Sequence, residues 1–188
     1  MPRASVRRLM AAAVIILWAA MPARAEIEKF MNQCDGKLCA FFRVSITVPD
    51  GWVEDKEATD YFKAQMLLPK NLDFDKAPAK IYALARYNRN KQPISAFLPD
   101  SIKDWRDRAK DAKITRLEDL PRGDGKAAFV RHQFEGRSLK EQGYELQAVT
   151  TDSDKNGNEF IVTITLSANS SNALKSAEPA YLAILGKY

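Results

Sequence analysis

Three stretches in the second half of the chain, AAFVRHQF (127–134), YELQAVTT (144–151) and EFIVTITLS (159–167), are separated by short polar segments. The first sets Ala128, Val130, His132 and Phe134 on one side and Ala127, Phe129, Arg131 and Gln133 on the other, the period of two that an extended strand requires. With ITRLEDL and a PRGDG turn ahead of them, they predict an antiparallel meander of three or four strands. Any fold for this chain must bury that sheet.

The first half adds strands and two helices. Phe42, Val44, Ile46 and Val48 alternate with Arg43, Ser45 and Thr47 before VPDGW ends the strand, and KIYALARY (80–87) predicts another. A short helix over 54–61 leads into a strand near 62–68, followed by a loop over PKNLDFDKAPAK. NRNKQPISAFLPD also predicts a loop. Its Ile94, Phe97 and Leu98 need cover, since a large exposed apolar patch marks a contact surface. SIKD (101–104) resembles a capping box, and Ile102, Trp105, Ala109 and Ala112 fall on one face of the helix it would start. A last helix carries Leu174, Ala177, Tyr181, Leu182 and Leu185; Pro179 either sits in its first turn behind a Ser176 cap or kinks it. The expected class is α+β, an antiparallel sheet with flanking helices.

Residues 1–25 read as an export leader. Arg3, Arg7 and Arg8 open it, an apolar run from Leu9 to Met21 follows, and Ala23-Arg24-Ala25 supplies a small-x-small cleavage pattern. The run is short of the ~20 residues of a membrane span, and Cys34 lies too far from the cut, after Met31, Asn32 and Gln33, for a lipid anchor. Residues 26–188 are then one secreted or periplasmic domain of ordinary length, monomeric or weakly associating. Of 29 basic and 24 acidic residues, the leader takes four basic ones and no acidic one, so the domain carries 25 against 24. That balance, with both signs interleaved as in KDWRDRAKD, gives no ground for a nucleic-acid partner.

In NQCDGKLCAFF, a disulfide between Cys34 and Cys39 suits an oxidising compartment, with redox or metal chemistry and free thiols as alternatives. If the two cysteines face one another, Gly36-Lys37 forms a type II′ turn. TDSDKNGNEF (151–160) meets the first half of a calcium loop at Asp152, Asp154, Asn156 and Gly157, then presents Thr163 where a bidentate glutamate belongs; a hairpin turn explains the same residues. His132, the sole histidine, reads as a packed imidazole ahead of a catalytic base. The chain contains no G-x-S-x-G elbow and no phosphate-binding glycine loop, and pairs such as Glu118-Asp119 or Glu141 with Glu145 read as surface acids. No cofactor is expected.

The PDGW strand end (49–52), KIYALARY after an insertion, the Trp105 helix, the meander and the C-terminal helix together resemble the PsbP-like α/β/α sandwich over residues 40–187. That fold is known from photosystem oxygen-evolving subunits, a nuclear-transport factor, bacterial periplasmic proteins and secretion chaperones. The resemblance implies a non-enzymatic accessory or assembly role and brings no catalytic set with it. The expected function is therefore binding of a protein partner in the cell envelope. Phe97 and Leu98 are candidate contact residues, with Trp52 either a platform or a core plug. An envelope hydrolase using His132 and scattered carboxylates, or small-ligand capture between sheet and C-terminal helix, is the alternative.

Overall fold

The computed structural model describes residues 26–139 and 141–188, so the leader read over 1–25 lies outside the described residues. The hairpin β1 (Ile27–Cys34) and β2 (Lys37–Val44) comes first, then β3 (Trp52–Glu54), α1 (Lys56–Phe62), β4 (Gln65–Pro69) and β5 (Ala79–Tyr87). α2 (Ile94–Arg108), β6 (Lys113–Arg116), β7 (Val130–Glu135), β8 (Tyr144–Ser153), β9 (Glu159–Ala168) and α3 (Ser171–Lys187) complete the chain. Apart from the hairpin, the strands form one antiparallel sheet of order β3-β4-β5-β9-β8-β7-β6. The chain leaves the middle of the sheet at β5, crosses it through α2, and returns strand by strand from the far edge as the expected meander. The protein is α+β, with antiparallel sheets and three flanking helices.

The two faces are covered differently. Ile81, Ala83 and Ala85 of β5, Phe160, Val162, Ile164 and Leu166 of β9, and Leu146 and Ala148 of β8 share one face, packed under Leu174, Ala177, Tyr181, Ile184 and Leu185 of α3. Alanines at 83, 85 and 148 let the helix approach closely, and each large side chain removed from water contributes ~1.5–3 kcal/mol. The buried Tyr181 hydroxyl donates to the Ile164 carbonyl at 3.2 Å, so the ring is buried without an orphaned polar atom. The hairpin base joins this layer through Val44, Ile46 and Phe42, whose ring centroid lies 4.8 Å from that of Phe160. On the opposite face, α1 covers Met66 and Leu68 through Ala58, while α2 covers Phe134 through Trp105 and Ala109. Gly136 makes the second contact possible: a Cβ there would stand 2.6 Å from the Ala109 Cβ and 3.1 Å from the Trp105 ring.

Several expectations are corrected. ISAFLPD is not a loop. It forms the first turns of α2, so Ser101 is an interior residue that donates to Gln147 Oε1 at 3.2 Å and caps nothing. Pro99 is tolerated inside the helix because the carbonyl it frees belongs to the exposed Ser95, within reach of water. α3 is likewise capped by Ser170, whose hydroxyl accepts from the Ala173 amide at 3.2 Å; Ser176 and Pro179 lie in its body. The strand expected to run to Val48 stops at Val44. The hairpin turns through Asp35 and Gly36, both at positive φ (48° and 73°), which is the type I′ pattern. Aspartate tolerates that region, so the register shifts: Cys39 stands opposite Asn32 and Cys34 opposite Lys37. The cysteines are therefore diagonal neighbours with Cα atoms 5.8 Å apart, within disulfide reach, and they are bonded.

Candidate functional site

α1 is short, and its ends are fixed by specific contacts. Asp55 caps it, accepting from the Ala58 amide at 3.0 Å, and Lys63 closes it in the left-handed region at φ 58°. Thr59 ties it to the sheet by accepting from the Met66 amide at 2.9 Å. With Ala58 and Thr59 facing inward, the consecutive residues Tyr61 and Phe62 cannot both be buried, because neighbours on a helix point about 100° apart. Tyr61 is 77% exposed and Phe62 50%. Their rings meet edge to face at 4.9 Å, and Phe62 stacks on Phe74 from the following loop at 5.4 Å. The Lys80 ammonium lies 4.5 Å from the centroid of Phe74.

Together with Asp55, Glu57 and Asp75, these rings line an open concavity of about 380 Å³ floored by Ala58. The neighbouring acids Asp60 and Asp73 face Arg43 at 3.8 Å and Lys76 at 2.7 Å. By contrast, Asp55, Glu57 and Asp75 form no ion pair among the described residues. Val53 and Leu72, in the adjoining segments, are also exposed apolar side chains. The arrangement offers flat apolar area and carboxylates that no ion pair engages among the described residues. That combination suits recognition of another molecule.

The residues singled out by sequence lie elsewhere. Trp52 is only 8% exposed and belongs to the core under α3, the plug role, so it offers no platform. Phe97 and Leu98 sit half-buried on α2; Phe97 lines a smaller concavity of about 170 Å³ with Arg86, Arg89 and Asp100, its ring 5.9 Å from the Arg86 guanidinium. The stretch 151–160 turns the chain between β8 and β9. Asp154 accepts from the Asn156 and Asn158 amides at 2.8 and 2.9 Å, with Gly157 at φ 78°. Asp152 points away from that turn into a buried cluster, accepting from Arg122 at 3.0 Å, from Lys126, and from the Tyr188 hydroxyl at 3.1 Å.

Asp119 is paired with Arg116, and Glu141 is exposed. Glu145 is neither paired nor exposed. Tyr82, Thr165, Gln147, His132 and Arg116 stand opposite one another across β5, β9, β8, β7 and β6, a polar row on the face under α2. Glu145 lies diagonal to His132, about 7–8 Å away in such a sheet. It is 3% exposed and accepts from the Trp105 indole at 3.2 Å. Burial pushes its carboxyl up to about 7, against the opposing pull of Arg108, Trp105 and Ser167. The Ser167 hydroxyl stands across from it without closing a hydrogen bond. Burial, then Arg116, lowers the His132 imidazole, whose Nδ1 has no partner among the described residues. Glu145 and His132 make no hydrogen bond to one another among the described residues, neither lines the α1 concavity or the one beside Phe97, and α2 covers Glu145 through Trp105.

No described helix is long and apolar enough to cross a membrane. No protein-family model matches the chain, and a search of curated proteins finds no match.

Proposed function

We propose that the protein is an exported, non-enzymatic binding protein of the cell envelope, an accessory or assembly factor that holds a protein partner on the α1 concavity. The observation that carries this reading is the exposed Tyr61-Phe62-Phe74 ring system, set on and beside a short helix that Asp55 caps and Thr59 ties to the sheet. Aromatic side chains concentrate binding energy at interfaces, and monomeric proteins seldom leave several together in water. The leader pattern of residues 1–25 and the Cys34–Cys39 bond support a periplasmic or secreted location for the single domain 26–188. One helix on one face and two on the other support kinship with the PsbP-like sandwich, whose members are mainly binding and assembly proteins.

Affinity capture from a native envelope extract tests the reading. Wild-type protein should retain a specific envelope protein that Phe62→Asp loses and Leu182→Asp, altered on the outer side of α3, keeps. Loss with Phe97→Asp instead would move the contact to α2, and equal capture by every variant would overturn the proposal.

A further inference from the structure

We infer that the α1 concavity accepts a cationic side chain, lysine or arginine, presented by an exposed segment of the partner protein. This inference rests on the binding reading above and names the chemistry that the site would recognise.

Charge sets the sign of the ligand. Glu57 and Asp75 reach no cation within ion-pair distance among the described residues, and the Asp55 carboxylate meets only the Ala58 amide. Lys76 is paired with Asp73, and Lys80, over Phe74, offsets part of the Asp75 charge, which leaves Asp55 and Glu57 as the carboxylates without a nearby cation among the described residues. An anion would be repelled here, and a purely apolar group would strip water from three carboxylates without replacing its hydrogen bonds. A guanidinium or ammonium supplies those bonds.

The rings favour the same ligand. Aromatic faces attract cations, and this ring system already holds one, since Lys80 covers Phe74 at 4.5 Å. Tyr61 and Phe62 continue the stack outward and carry no cation of their own among the described residues. A Lys or Arg stem would lie along these rings while its head reaches the carboxylates, which is how such amphipathic side chains cover apolar surface.

Shape decides between a free small cation and a protein segment. Sites for small ligands enclose most of the ligand surface, whereas this concavity is open, with Tyr61 at its rim almost fully in water. A single long side chain fits it, leaving the partner backbone outside.

The test is a titration of the ¹⁵N-labelled protein with a blocked heptapeptide bearing two arginines, followed at the backbone amides of residues 55–62 and 73–76. The arginine peptide should shift those amides, with affinity falling as salt rises from 50 to 500 mM. The citrulline version should bind roughly tenfold more weakly, as should the wild-type peptide to the Glu57→Gln/Asp75→Asn double variant, which removes charge without touching the helix cap. Tetramethylammonium should shift the same amides far more weakly than the peptide does. Equal binding of the citrulline peptide, unchanged binding by the double variant, tighter binding of the free cation, or no shifts at millimolar peptide would each overturn the inference. If partner capture depends on Phe62 while the charge experiments fail, the surface stands and its charge preference falls. If capture ignores Phe62, both fall.

Discussion

Strand β9 has two faces built on opposite terms. Toward α3 it presents Phe160, Val162, Ile164 and Leu166; toward α1 and α2 it presents Ile161, Thr163, Thr165 and Ser167. All eight are buried, so the difference lies in chemistry and not in exposure. The α3 face is a continuous apolar core, and its polar cluster, Asp152 with Arg122, Lys126 and Tyr188, is bonded from several directions, with Arg122 Nε its one unpartnered atom among the described residues. The other face is divided into two small apolar clusters separated by a polar row, and there the hydroxyls of Thr163, Thr165 and Ser167 and one nitrogen of His132 lack partners among the described residues. Stability is thus concentrated under α3. The concavity of α1 lies on the more weakly held side, where recognition surfaces usually occur.

The largest effect should come from the apolar face. Phe160→Ala removes a fully buried ring and should cost about 3–5 kcal/mol in urea unfolding; a loss below 1 kcal/mol would mean that the core is not centred there. Arg122→Ala leaves the buried Asp152 with Lys126, the Tyr188 hydroxyl and the Ser153 amide and should cost about 3 kcal/mol near neutral pH. The folded state holds Asp152 below the usual carboxylate range despite its burial, because Lys126, the Ser153 amide and Arg122 favour the charged form. Its contribution is therefore present above pH ~4 and is lost as pH falls. The Arg122→Ala penalty should shrink in acid.

The other face should respond with the opposite sign. Glu145 titrates near 7 in the folded protein and near 4.5 when unfolded, so between those values only the folded chain retains the proton. Stability from this group is full below about 4.5, falls as pH rises, and is gone above 7. Glu145→Gln should therefore stabilise the protein by roughly 3 kcal/mol at pH 8 and scarcely at all at pH 4. His132, lowered by burial, pulls stability the other way over an overlapping range, so the comparison of variant with wild type at each pH isolates Glu145. An unchanged unfolding midpoint at pH 8 would show that the carboxyl is solvated. The smallest effect belongs to Phe62→Ala, which should change stability by less than about 0.5 kcal/mol because the ring is half in water. A larger loss would make Phe62 a structural residue.

Much of the α3 face was readable from alternation: EFIVTITLS and KIYALARY put their apolar residues where the structure buries them. Errors arose where a local signal was outweighed by distant packing. Pro99 and the polar run before it read as loop, yet Trp105 and Ala109 anchor the whole of α2 to Phe134 and Gly136. The hairpin was misread by one residue because aspartate as well as glycine can occupy the left-handed region. Glu145 looked like one surface acid among many. Its strand period does align it with Gln147 and Val149, but only the position of α2 over β8 reveals the burial. The α1 concavity was missed although a signal existed: adjacent aromatics in DYF, on a helix with Ala58-Thr59 as its inward face, leave no place for both rings. Phe74 and Asp75 join them only through the path of the 70–78 loop, which no periodicity encodes.

Site-specific photo-crosslinking in intact cells offers the most direct comparison of the two sides of the molecule. A photoreactive residue at position 61 should give a discrete adduct with a protein of the envelope, and one at position 182, on the outer side of α3, should give none. An adduct formed only from position 182, or from neither, would contradict the assignment of recognition to the aromatic concavity.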